Sequence, residues 1–290
     1  MTRHNIDTCS MIVEFNASVW TARKLDKSTT DEVVHNKGAA AKDAARVNKH
    51  LLAGRNELDV IQKHVNAVRT YVYTNTLPWS DSGQRLLPTT NFMEFNDRMD
   101  KENDRFWQLV NDFVDVYPSL ITAQAMALGD MFNRADYPTQ NEIAAKFNFS
   151  VGFLPVPTFG DFRIDVGNAA QAELQEKLQK LTEERVDAAM ADVRTRLMEH
   201  LKRMSDRLTV DYSNGEAVTR KFHDSLVDGA FELCDMVKAL NITGDESLEA
   251  ARKSLEFALV GVDAKELRKN MSVRTEVKSQ VDEILSKFAF

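Results

Sequence analysis

The chain has 290 residues, of which 43% are hydrophobic and 28% charged, a globular composition that excludes a disordered chain. Six prolines and eleven glycines leave little material for long irregular stretches, and a formal charge of −7 argues against a chain built as a whole for nucleic acid or anionic membrane. Two cysteines, Cys9 and Cys234, lie far apart outside any CxxC pattern and read as idle thiols of a reducing compartment.

In chain order, the first element is a strand over residues 10–20, where Met11, Val13 and Phe15 alternate with the polar Glu14. A helix is predicted from about Lys37 to Thr74, with Val47, Leu51, Leu58, Ile61, Val65 and Val68 at helical spacing. Residues 75–91 hold two prolines and a glycine and read as a loop. The next helix opens with the capping pair Asn91 and Glu94, carries Met99, Phe106, Val110, Phe113 and Tyr117 on one face, and is ended or kinked by Pro118. A second piece runs from Ser119 to about Asn133. Thr139 and Glu142 form a second capping box before a short helix that ends near Phe147. After it the periodicity changes, and alternation at Phe162, Ile164 and Val166 predicts a bent strand or hairpin, paired with the first strand.

Beyond Gly167 the pattern is helical. Residues 168–208 contain neither Gly nor Pro, and one helix of that length extends about 60 Å. Met190, Val193, Leu197, Leu201, Met204 and Leu208 recur at helical period, which predicts a nearly straight helix whose apolar stripe seeks a partner surface. Ser213, Asn214 and Gly215 turn the chain into a second amphipathic helix bearing Val218, Phe222, Leu226, Ala230, Leu233, Val237 and Leu240. Two or three shorter helices follow, the last with Val273, Val277, Val281, Ile284 and Phe288. The fold class is α+β and predominantly α-helical. A small sheet sits in an N-terminal domain, residues 1–167, followed by a helical C-terminal arm, residues 168–290.

Chemistry-bearing motifs are missing from this pattern. The sequence holds no phosphate-binding GxxxxGK[ST], no GxGxxG after a strand, no HExxH and no GxSxG. His50 and His64, fourteen apart on one predicted helix, stand about 21 Å from each other and share no metal. No catalytic residue, cofactor or metal is assigned.

Charge distribution is more informative. Residues 17–75 carry ten basic and six acidic residues, whereas residues 76–166 carry seven and thirteen. On the helix predicted there, Lys42, Arg46, Lys49 and His50 share one face. That stripe is a solvated face, a contact for the acidic segment of a neighbouring subunit, or a track for a single-stranded DNA backbone. Trp79 with Arg85 is the best aromatic binding spot, against the alternative that its loop packs onto its own domain, and Trp107 reads as core.

Four segments, SVWTARKLD at 18–26, PWSDSGQRLLP at 78–88, FNRADYPTQNEIAAKF at 132–147 and PVPTFGDFRIDV at 155–166, together resemble a family of tailed-bacteriophage and prophage proteins without an assigned activity. The resemblance covers about residues 10–170 and supplies no catalytic residues. Some members are encoded near a MoxR-type AAA+ ATPase, so the resemblance implies a phage protein acting in the host cytoplasm and raises that ATPase as a partner. The function expected is a non-enzymatic assembly protein that forms a homo-oligomer. Single-stranded DNA binding or annealing, and an adaptor role for the ATPase, are the alternatives. No membrane partner is expected, since no apolar run approaches the roughly 20 residues of a span.

Overall fold

The computed structural model describes residues 6–41, 43–157, 168–213 and 216–288. They form two compact units, one of residues 6–14, 71–96, 152–157, 168–213 and 216–288, the other of residues 15–41, 43–70 and 97–151. The division therefore does not fall at Gly167. Leu77, Trp79 and Leu86 share one apolar core with the long C-terminal helix, and that packing draws an early stretch of chain into the same unit.

In the first unit, a short helix α1 (Ile6–Cys9) leads into β1 (Ser10–Ser18), whose first residues pair antiparallel with β5 (Arg85–Pro88) from Ser10 against Pro88 to Val13 against Arg85. β5 pairs in turn with β4 (Leu77–Pro78), so the predicted loop is a hairpin, and β6 (Asn148–Pro155) neighbours β1 in the sheet order β4-β5-β1-β6. The strand that neighbours β1 is therefore β6, which ends at Pro155, and the expected pairing of residues 160–166 with the first strand lies outside the described residues. The hairpin closes through a backbone bond from Trp79 to Gln84 of 3.1 Å, and Gly83 supplies the left-handed backbone at φ +91°.

Helix α6 (Asn168–Leu208) has the predicted limits. Its stripe is fully inside, with Val193, Leu197, Leu201, Met204 and Leu208 at 0% exposure and Met190 at 2%. The cover comes from the same chain: α7 (Ser225–Leu240), α8 (Glu246–Ala258) and α10 (Met271–Lys287) contribute Ala230, Val237, Leu255, Val277 and Val281 to that core. A short α9 (Ala264–Lys269) precedes α10. The antiparallel pair β7 (Val210–Ser213) and β8 (Glu216–Thr219) comes between α6 and α7. Val218 consequently lies on a strand and is half exposed, a correction to the helix read there. The antiparallel pairing from Val210 against Thr219 to Ser213 against Glu216 takes precedence over the apparent helical register of Val218 and Phe222.

Arg274 of α10 ends α6. The residue is 1% exposed, and its guanidinium donates to the carbonyls of Leu208 at 3.0 Å, Arg207 at 2.5 Å and Arg220 at 2.9 Å. The last carbonyls of a helix lack intrahelical donors and carry its negative pole, so a buried cation there satisfies both needs. Two more polar links join the helices: Arg194 pairs with Asp245, the N-cap of α8, and Ser205 donates to Asp282 of α10.

The second unit contains β2 (Arg23–Leu25), α2 (Lys27–Asn36), β3 (Asn48–His50) and α5 (Gln140–Ala144), with most of α3 (Glu57–Asn75) and α4 (Phe92–Leu128). The helix read from Lys37 to Thr74 begins only at Glu57. Gly38 at φ +62° and Gly54 at φ +72° take backbone conformations that a helix cannot continue through, and β3 pairs with β2 between them. Helix α4 runs unbroken past Pro118. Proline cannot donate to the carbonyl four residues back, and Gln140 Nε2 donates to that carbonyl, Val114 O, at 3.0 Å instead. The Thr139–Glu142 capping box forms as expected. Aromatic edges fill this core: Phe113 lies 5.7 Å from Phe147, and Trp20 lies 5.8 Å from Tyr117.

Leu197→Asp places an unpaired charge in the α6 core, and the expected loss is about 3–5 kcal/mol, measured by urea titration. His200, 9% exposed with its Nε2 3.2 Å from Leu226 O, is held below its ordinary imidazole value by burial. The folded chain therefore resists a proton that the unfolded chain accepts below pH 6.5, so stability falls as pH drops from there. His200→Gln should flatten that fall between about pH 6.5 and 5 in pH-dependent melting.

Candidate functional site

The basic stripe of the sequence does not exist as a helical face. Lys49 stands on β3, Arg46 is exposed in the irregular stretch before it, and Lys42 lies outside the described residues. Antiparallel pairing sets Lys24 directly opposite Lys49. The two ammonium groups converge on Asp136: Lys24 reaches one carboxylate oxygen at 2.9 Å, and Lys49 pairs with the other. Lys49 Nζ also donates to Met131 O at 3.1 Å and stands 3.9 Å from Asp26.

Asp26 is the N-cap of α2, accepting from Thr29 N at 3.1 Å and Ser28 Oγ at 2.8 Å. Those bonds, the backbone one first, hold its carboxyl below the ordinary carboxylate range. Burial alone raises the Asp136 carboxyl, but hydrogen bonds from Lys49 and Lys24 outweigh burial and lower it. The acidic segment does meet the basic one, as the charge map implied, but inside one chain.

Trp79 and Arg85 are also structural. Trp79 is 3% exposed in the core and lies under the Arg185 guanidinium, 5.4 Å from the ring centre. Arg85 donates to Thr76 O at 2.8 Å, Thr76 Oγ1 at 3.0 Å and Tyr73 O at 3.2 Å. Arg196 of α6 adds a bond to Thr74 O at 3.0 Å, so two guanidinium groups share the C-terminal end of α3. Trp107, read as core, is 37% exposed. His50 and His64 lie on different elements, and His64 is taken by Glu102, with 3.5 Å between ring and carboxylate.

What the sequence reading passed over is the outer face of α8 and α10. Phe257 is 78% exposed and Val260 70% exposed. Phe257 borders a groove of about 500 Å³ whose floor includes the buried Ile284 and whose rim carries Lys253, Glu283, Lys287 and Phe288. Behind it, Arg252 is held by Glu249 and Glu256, each at 2.8 Å, and the arginine's hydrogen bonds pull the Glu249 carboxyl down to about 2. These pairs lie within α8 itself, from which Phe257 projects. Phe257 lies off the apolar stripe of α8 that Leu248, Ala251 and Leu255 define, and that out-of-phase position was the available signal.

Among the described residues no group of acidic, histidine and cysteine side chains is placed to hold a metal, and no helix is long and apolar enough to cross a membrane. Cys9 and Cys234 are unpaired, and burial pushes the Cys234 thiol up to about 11. No protein-family model, curated protein or solved structure matches the chain.

Lys49→Met removes one of the two cations that satisfy Asp136, with an expected loss of about 1–3 kcal/mol by denaturant titration. Because the Asp136 carboxyl is lowered in the fold, its contribution is present above the ordinary carboxylate range and lost as pH falls through the folded value. Wild type should therefore lose stability more steeply than Asp136→Asn on acidification in that low range.

Proposed function

We propose that the chain is a non-enzymatic assembly protein of a tailed bacteriophage, working in the host cytoplasm as a homo-oligomer. The observation that carries this reading is the face of α8 and α10. It presents a projecting aromatic, Phe257, beside a groove of about 500 Å³ on the same surface. A knob and a hole on one patch are what a two-fold contact between identical copies needs, because each surface must complement itself. The charges agree: the rim carries both signs, Lys253 and Lys287 against Glu283, so a rotated second copy sets cation against anion. A phenylalanine side chain brings roughly 150–250 Å² of surface to such a contact.

Other features support assembly over catalysis. Carboxylates with lowered values, Asp26, Asp136, Asp245 and Glu249, are each engaged as caps or ion pairs within the fold. The phage assignment rests on the resemblance of the segments at 18–26, 78–88, 132–147 and 155–166. The apolar stripe of α6 no longer argues for self-association, since its own chain covers it.

Light scattering should give a mass that is a multiple of 32.8 kDa for the parent chain. Phe257→Glu should return it to the single-chain mass with an unchanged melting temperature. A parent that stays at the single-chain mass, or a Phe257→Glu variant that keeps the oligomer, overturns the proposal.

A further inference from the structure

A second feature, independent of the α8–α10 face, lies within the smaller unit. The C-terminal half of α4 and the segment that returns to α5 enclose a cleft of about 540 Å³. That volume is in the range of small-molecule sites, roughly 300–1,000 Å³. Pro118, Phe132 and Pro138 give it flat apolar walls, and Tyr117 and Arg134 also line it.

Tyr117 is 1% exposed, yet its hydroxyl has no hydrogen-bond partner among the described residues. A buried hydroxyl without a partner is costly, and native folds rarely keep one without a reason. Burial raises this phenol to about 12, so it stays protonated and able to donate. Arg134 gives one N–H to Tyr137 O at 3.0 Å. No described carboxylate pairs with it: the neighbouring Asp136 is held by Lys49 and Lys24, and Glu142 by Thr139. Gln140 Nε2 is engaged by Val114 O, which fixes the cleft's edge against α4 at the point where Pro118 breaks the backbone bond.

We infer that this cleft binds a small carboxylate with a flat apolar body, such as an arylacetate. Arg134 receives the carboxylate, Tyr117 donates to one of its oxygens, and the ring lies between Pro118, Pro138 and Phe132. Guanidinium and hydroxyl donors both favour an anionic head, because hydrogen bonds to a charged oxygen are stronger than those to a neutral one. The flat walls select a ring over a branched chain.

The probes are phenylacetate and its uncharged counterpart phenylacetamide, followed by amide chemical shifts on the full chain. Phenylacetate should shift residues 117–142 saturably, with a Kd on the order of 1 mM. Phenylacetamide should bind at least about tenfold more weakly. Arg134→Gln should abolish binding, Arg134→Lys should keep most of it, and Tyr117→Phe should weaken it several-fold without lowering the melting temperature. Equal affinity for acid and amide, retained binding in Arg134→Gln, or no saturable shift near that concentration overturns the site. None of these outcomes depends on the oligomeric state, and Phe257→Glu should bind phenylacetate like the parent.

Discussion

The larger unit depends on the burial of one helical stripe. Six side chains from Met190 to Leu208 leave water together, and full burial of each large apolar side chain is worth about 1.5–3 kcal/mol. That gain requires α7, α8 and α10 to close over the helix, and it requires the helix to stop where they meet it. Arg274 satisfies the second condition, since its guanidinium takes carbonyls at the end of α6 and at Arg220. Three elements are tied at one point by a charge that has no described carboxylate beside it. A helix end buried without such donors leaves strong acceptors dry.

Arginine does similar work elsewhere. Arg85 and Arg196 share the end of α3, and Arg194 ties α6 to the capping aspartate of α8. In the smaller unit the lysines fill this part: Lys24 and Lys49 meet Asp136 across a strand pair too short to be stable alone. Much of the charge that marks this chain as interactive is therefore engaged in holding its own fold. Two features stand apart from that internal work: a projecting phenylalanine on α8, and on α4 a tyrosine whose buried hydroxyl has no partner among the described residues.

The two candidate surfaces answer to different physics. The α8–α10 face works by shape and apolar area, which suits a copy of the same chain, whereas the α4 cleft works by a charged donor in a walled space, which suits a small anion. Proline shapes the second. By leaving Val114 O without its helical donor, Pro118 draws Gln140 across and sets the returning segment over the helix.

By itself the sequence determined the periodic elements. The limits of α6, its buried stripe, the first strand and the Thr139–Glu142 cap follow from local spacing and local hydrogen bonding, which residues a few positions apart settle among themselves. Only the tertiary structure decided what covers what. The stripe from Met190 to Leu208 reads the same whether its partner is a second copy or the chain's own C-terminal helices, because apolar surface carries no address. Val47 and Leu51 sit at helical spacing although Gly38 and Gly54 turn the backbone around them, and only the pairing of Lys24 with Lys49 shows that those glycines prevail. Trp79, Arg85 and Lys49 have the sequence character of binding residues and are structural, whereas Tyr117 reads only as one more residue of an apolar helix face, and Phe257 and Arg134 belong to no pattern that marks a site. Exposure and unsatisfied hydrogen bonds are properties of packed neighbours, and no linear pattern records them.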